Sequence, residues 1–353
     1  MSEIKHERPG VYSVYDASAV VSAGRAARVI GVAAKAAAGT VGQAVTVTGY
    51  TAGVSVFGED VQPGMSTILR LLFGNGAATV VAVRVADEGS EEDYKAAFEI
   101  LGRQDVQIVV CDSADAAVQQ ELRAAVEEAS AGRRERIAVV GGDGDDAAAL
   151  VERAEALNSE RVVLVGPDAV NSAGETLAGV FAAAALAGVI ASGGDPAVPI
   201  NGAEIKGLGG LAADYGDNEI DLLVRGGVTP LESIGGVISP VRGITTRTAT
   251  GGAKDATWRE LTTVLIVDDI IPAVRNALRS KFARTKNTVR NRGAIRSQVI
   301  VELEKKVAAE IIDSYGEVSV TASADDPTVC LVEFGFAVAH GLNQIYLTVH
   351  ITV

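Results

Sequence analysis

Two stretches of the sequence sit where α/β proteins often do chemistry. The first is IVVCDS, in which Cys111 closes an apolar run that reads as a strand. A thiol at the carboxyl end of a parallel strand becomes a nucleophile if an imidazole orients it. The chain's histidines, His6, His340 and His350, all lie near its ends. A small buried cysteine is therefore the simpler reading, and Cys330, inside another predicted strand, reads the same way. The second stretch is VVGGDGDD (139–146), with glycines after a strand and before a helix, where a dinucleotide loop would lie. Its spacing departs from G-x-G-x-x-G, and Asp143, Asp145 and Asp146 would repel a pyrophosphate, so it reads as a turn and helix cap. No phosphate-loop motif occurs, and scattered histidines and cysteines form no metal set. The carboxylates are plentiful, but none forms a tight pair in an apolar setting. No catalytic, cofactor-binding or metal residues are expected. The enzymatic alternative is an α/β enzyme with its site at the strand ends near Cys111 and Gly141–Gly144.

The elements around these residues have a clear rhythm. Between 91 and 200 apolar strands (VQIVVCD, RIAVVGG, RVVLVGP) alternate with helical stretches, which implies a mostly parallel sheet covered on both faces. Before that, ARVIGVAA (27–34), QAVTVTGYT (43–51), VSVFG (54–58) and ATVVAVRVA (78–86) read as extended. STILRLLFGNG between them reads as a helix capped by Ser66 or Thr67. Residues 201–240 are glycine-rich, with short strands expected at DLLVRGG and GGVISP, and resemble a seam between domains. Beyond it a helix is expected to start near Asp268 or Asp269 with Pro272 in its first turn. After a basic loop ending at Gly293, a second helix carries Ile295, Val299, Leu303, Val307 and Ile311. Strands EVSVTA and TVCLVEFGFAV follow across a Ser-Ala-Asp-Asp-Pro turn. The expected fold is α/β plus α+β: an outer α/β domain (25–240, with 25–86 β-rich and 87–200 alternating) and a C-terminal α+β domain (241–340).

Composition narrows the function further. Among 353 residues, aromatics are only 4%, which disfavours a base-stacking surface, and the net charge of −14 disfavours nucleic-acid phosphates. No run is long and apolar enough for a membrane span, and MSEIKHERPG lacks the apolar core of a signal peptide. Two cysteines suit a reducing cytoplasm. The charge is unevenly spread. Residues 87–175 hold 21 Asp/Glu against 8 Lys/Arg, while 272–306 hold 10 Lys/Arg against 2 Glu. The basic set includes Arg275, Arg279, Lys281, Arg284, Lys286, Arg290, Arg292 and Arg296. These runs are either solvated helix faces or complementary surfaces between copies and partners.

The chain closes on QIYLTVHITV, where Ile345, Leu347, Val349, Ile351 and Val353 alternate with polar or aromatic residues. This period-two strand pairs either within its own domain, beside TVCLVEFGFAV, or with a neighbouring subunit, and Gly341 stands just before it. Near the other end, Val11, Tyr12, Val14 and Tyr15 alternate weakly and read as an added edge strand.

Several stretches in order resemble the tail sheath proteins of contractile phage tails and phage-tail-like bacteriocins. They are ERPGVYSVY (7–15), GVSVFGED with ILRLLFGNGAATVVAVRV (68–85), AAALAGVIASGGDPAVPINGAEIKGL (183–208) and GITTRTAT with WRELTTVLIVDDIIPAVRNALRSKF (243–282). Asn75 is followed by Gly76, Ala77 and Ala78, where many family members have two glycines. The resemblance implies a structural subunit without a cofactor, stacked as hexameric rings or a six-start helix around a tail tube. It implies an N-terminal arm (1–24) and a C-terminal arm (341–353), each completing a neighbour's sheet. It further implies a homo-oligomer that meets tube, baseplate and tail terminator proteins, with no nucleic acid and no direct membrane binding. Such particles assemble in the bacterial cytoplasm, and the basic patch would face the tube or a neighbour.

Overall fold

The structure is a computed structural model and describes residues 28–343. In chain order its first elements are β1 (Ile30–Ala34), β2 (Ala44–Val47), α1 (Tyr50–Phe57), α2 (Met65–Gly74), β3 (Val80–Arg84), α3 (Glu91–Gly102), β4 (Ile108–Cys111), α4 (Ala116–Ala131), β5 (Ile137–Gly141), α5 (Ala147–Leu157) and β6 (Val162–Gly166). Then come β7 (Ala169–Val170), β8 (Thr176–Leu177), α6 (Gly179–Ser192), β9 (Gly210–Leu211), α7 (Asp217–Arg225), β10 (Val228–Ile234), β11 (Val237–Pro240), β12 (Ala249–Thr250) and β13 (Ala253–Lys254). The last are α8 (Leu261–Phe282), α9 (Val289–Ala308), β14 (Ile312–Tyr315), β15 (Ser319–Ala322), β16 (Cys330–Glu333) and β17 (Phe336–Val338).

An eight-stranded sheet runs in the order β11-β10-β6-β5-β4-β1-β3-β2. Its interior pairs are parallel, and the edge strands β2 and β11 are antiparallel. The buried strands read as continuous apolar runs because both faces are covered. On one face Tyr94, Phe98, Leu122, Val126, Leu150 and Leu157 of α3, α4 and α5 form the core. On the other face α1, α2 and α6 pack against the sheet. Helix α6 is apolar all round and almost wholly buried, and its run of Ala and Gly lets it lie close to its neighbours. At Gly188 a Cβ would stand 2.8 Å from the Leu72 carbonyl oxygen, and at Gly141 it would stand 2.1 Å from the Gly179 carbonyl carbon.

Several expectations are corrected, the first being the cap of α2, which is Gly64, with Ser66 and Thr67 inside the helix. VSVFG is the end of helix α1, because it packs Gly53 against Leu69 of α2 and tertiary packing overrides β-branched propensity. DLLVRGG belongs to helix α7, which Glu219 caps by accepting from the Gly216 N–H at 3.0 Å and which buries Leu223 and Val224. The 201–240 stretch supplies β10 and β11 to the main sheet. Pro230 fits inside β10 because this strand pairs with β6 up to Pro230 and with β11 from Leu231 onward. Finally, α8 begins at Leu261, and Pro272 lies inside it. There the missing N–H leaves the Asp268 carbonyl without its usual partner.

Helix α8 joins two cores. Leu261, Val264 and Leu265 pack into the core beneath α6. On the opposite face of the helix, Ile266, Ile270 and Val274 pack with Val299 and Leu303 of α9 and with Ile312 and Val318. Two small antiparallel pairs, β14–β17 and β15–β16, lie beside these helices. The expected strand TVCLVEFGFAV is split at Gly335, and β14 is a strand that the sequence pattern does not announce. Gly293 lies inside α9, and Ile311 falls just beyond it.

The close approach of Gly141 to α6 gives a test. Gly141→Ala would force backbone against backbone, and we expect a loss of about 2–3 kcal/mol of stability in denaturant unfolding. Gly144→Ala, where φ is +70° but nothing lies within 4 Å, should cost only about 1 kcal/mol.

Candidate assembly surfaces

The expected strand-exchange residues Val11, Tyr12, Val14, Tyr15, Ile345, Leu347, Val349, Ile351 and Val353 lie outside the described residues. The two roots of those segments are described. At the N-terminal root the Arg28 guanidinium donates to the carbonyls of Ile190 (3.0 Å) and Gly193 (2.9 Å), at the end of α6. A cation there complements the helix's negative end. At the C-terminal root Gly341 lies on Pro199, where a Cβ would approach the proline Cγ to 2.9 Å. Asn201 Nδ2 donates to Asn343 Oδ1 at 2.8 Å. Gly341 is thus needed for room, and residues 341–343 lie against loop 197–202.

Near that root lie the small sheets. Among the described residues β14 pairs only with β17 and β15 only with β16, so each pair presents ladder edges without a strand partner. Val329 and Leu331, at the start of β16, are exposed apolar side chains on this surface.

The expected basic patch divides in two. Arg275 donates to both carboxylate oxygens of Glu135, at 2.6 and 3.2 Å. Lys281 donates to Gln298 Oε1, Arg292 to Asn287 Oδ1, and Arg296 to the Val318 carbonyl. Asn287 in turn donates to the carbonyls of Pro327 and Val329, so the α8–α9 connection is tied to the β15–β16 turn. Arg279, Arg284, Lys286 and Arg290 are exposed. Arg275 already meets the acidic 87–175 stretch within one chain, a pairing the charge pattern alone assigns equally well to two copies.

Other ion pairs hold α8 in place. Arg161 at the start of β6 contacts both oxygens of Asp268 at 2.5 and 2.7 Å, and Lys306 of α9 reaches Asp269 at 2.6 Å. Burial holds the Asp268 carboxyl above its ordinary range even beside Arg161. A cleft of about 1230 Å³ opens between α8 and the amino ends of the strands, walled by Arg133, Arg134, Glu135, Arg275 and Arg279 among others.

The positions first weighed for chemistry are built otherwise. Cys111 is buried, donates to the Ser113 carbonyl at 3.5 Å, and has its thiol pushed up to about 12 by burial, far from a reactive thiolate. The 142–146 turn is a cap. Asp168 accepts from the Gly144 N–H at 2.6 Å, Asp146 caps α5, and Asp145 pairs with Arg153 at 2.8 Å. Among the described residues no group of three metal-ligating side chains occurs.

The Arg275–Glu135 pair is the sharpest electrostatic test. Burial raises the Glu135 carboxyl, but the hydrogen bond and charge of Arg275 outweigh it and hold the group below its ordinary range. Its stabilising contribution is therefore present above the unfolded glutamate pKa and lost as pH falls through the lower folded value. Arg275→Ala should cost about 1–2 kcal/mol near neutral pH and flatten the acid limb of the stability curve. Arg290→Ala should stay within about 0.5 kcal/mol in the same denaturant titration.

Comparison with known proteins gives a consistent answer. The family model of the phage tail sheath protein central domain matches residues 87–246, and that of the phage tail sheath C-terminal domain matches 253–352. A tail sheath protein of Bacillus phage SP01 is 31% identical over 182 residues, 51% of this chain; the match spans 30% of that protein's length. In fold, the chain is similar to the contracted helical sheath of the anti-feeding prophage (TM-score 0.73, 15% identity, 98% of this chain and 99% of that one). The contracted sheath of an extracellular contractile injection system, PVC, has a TM-score of 0.73 and 15% identity, covering 99% of each chain. A sheath tail protein from Desulfitobacterium hafniense has a TM-score of 0.72 at 12% identity, covering 93% of this chain and all of that one. With a central and a C-terminal sheath domain in succession, the chain belongs to the contractile phage tail sheath protein family, whose members are structural proteins and not enzymes.

Proposed function

We propose that the protein is the repeating subunit of a contractile sheath. It polymerises as hexameric rings, or equivalently a six-start helix, around a tail tube, and its contraction drives the tube through a bacterial envelope. Its organisation is an N-terminal arm (1–24), an α/β domain (25–240), a C-terminal α+β assembly domain (241–340) and a C-terminal exchanged strand (341–353). The tube, baseplate and tail terminator proteins are its partners, and assembly takes place in the bacterial cytoplasm.

One observation carries this reading: among the described residues, two-stranded sheets have ladder edges without a strand partner, in the domain that a strand-patterned segment follows in sequence. An added strand satisfies those backbone groups with little demand on side-chain identity. It links one copy to the next head to tail, which generates rings and helices and leaves no closed dimer. The exposed Arg284, Lys286 and Arg290 support a tube-facing or inter-subunit role for the α8–α9 connection, whereas Arg275, bound to Glu135, supports the subunit's own shape.

Truncation after His340 should leave a folded, soluble monomer and abolish cylinders in negative-stain micrographs. Normal cylinders from the truncated protein would refute strand exchange. Separately, Arg284→Glu with Arg290→Glu should block co-assembly with purified tubes. Unchanged sheathing of tubes would remove the tube-facing assignment.

A further inference from the structure

A parallel sheet has two unlike ends. All strand-to-helix connections gather where the strands finish, and all helix-to-strand connections gather where they begin. Around the first end, the segments 58–64 (between α1 and α2), 85–90, 112–115 and 142–146 hold nine Asp/Glu and no Lys/Arg, with Lys35 of the β1–β2 connection among them. Those at the second end (103–107, 132–136 and 158–161) hold five Arg against three Asp/Glu, and Arg275 and Arg279 of α8 stand beside them together with Asp268 and Asp269.

Some of this polarity serves the subunit itself. Asp115 and Asp146 cap α4 and α5 at the acidic end, and Arg134 donates to the Gly102 carbonyl at the end of α3. Capping does not explain the rest. Glu59, Glu88 and Asp143 are exposed and cap no helix, and Val61 between them stands 93% exposed at the tip of its loop. At the other end Arg133 and Arg279 are exposed at the cleft, and Arg103 is exposed just past the end of α3. The five-residue strands keep the ends about 16 Å apart, beyond the roughly 8 Å over which solvent charges interact at physiological salt. The two ends therefore do not neutralise one another within a molecule.

We propose that these ends dock on each other between copies: the acidic strand-to-helix end of one subunit seats on the basic end and cleft mouth of the next. Such a contact is heterologous and does not close on itself, so it propagates along a stack. It rests on the sheath-subunit reading and adds a second contact to it, one made by the α/β domains and independent of the arms. The partner surface is a second copy of this chain, because the charge it needs is carried by the opposite end of the same domain.

Two charge-reversed proteins test this. One carries Arg103→Glu, Arg133→Glu and Arg279→Glu, so both its ends are acidic. The other carries Glu59→Lys, Glu88→Lys and Asp143→Lys, so its acidic end is largely neutralised and carries three lysines. Each alone should need a concentration at least about tenfold higher to form cylinders in low-salt buffer. An equimolar mixture should recover to within about threefold of the unmodified protein, because the unaltered acidic end of one meets the unaltered basic end of the other and the new lysines face the new glutamates. Parallel sets with Gln or Asn at the same positions, which cannot repel, should raise the threshold by only about threefold and serve if a reversed set fails to fold. Assembly of either folded reversed set at the unmodified threshold, or a mixture that does not recover, overturns the docking while the sheath reading stands. If the unmodified protein forms no cylinders, the sheath reading falls and this contact falls with it.

Discussion

Burial of two opposite faces of α8, one in each of two cores, is the constraint on which the rest of the molecule depends. The helix starts beneath α6 with Leu261, Val264 and Leu265 and continues, without a break, against α9 with Ile266, Ile270 and Val274. At about 1.5 Å per residue its 22 residues reach roughly 33 Å, enough to belong to both layers at once. No flexible connection separates the sheet from the small strands along this path. The Arg161–Asp268 and Lys306–Asp269 pairs fix the helix's rotation, since both carboxylates sit in the turn before Pro272, where a backbone bond is lost.

The same need for close packing explains the unusual composition. A sheet covered by an Ala- and Gly-rich helix keeps its backbone near that helix, so few aromatics fit. The surface consequences differ. Part of the gathering of carboxylates where helices begin and of arginines where they end arises because each βα unit repeats the same electrostatic preference in the same direction. A parallel sheet adds those preferences, whereas an antiparallel one would scatter them over both ends.

Much of this was legible in the sequence. The strand–helix alternation from 91 to 200, the buried character of Cys111 and the cap-like nature of GGDGDD all follow from local pattern, and all are found. What local pattern missed was decided by distant partners. VSVFG folds as a helix because Leu69 and Gly53 meet, and Pro230 enters a strand because its neighbours change there. The start of α8 is hidden because Asp268 and Asp269 resemble caps, yet each is committed to a cation elsewhere in the chain. The basic run 272–306 was visible as charge. Its division into structural arginines such as Arg275 and exposed ones such as Arg290 was not, because the partner of Arg275 lies 140 residues earlier.

The seating of Gly341 on Pro199 and of Asn343 on Asn201 has a mechanical consequence. After the small sheets, residues 341–343 lie against loop 197–202, where the described residues end. A pull on the segment beyond residue 343 is borne first by loop 197–202, next to the buried helix α6. The ladders of β14–β17 and β15–β16 are spared from being peeled one hydrogen bond at a time. The load path thus bypasses the weakest elements of the subunit and ends in its best-packed layer.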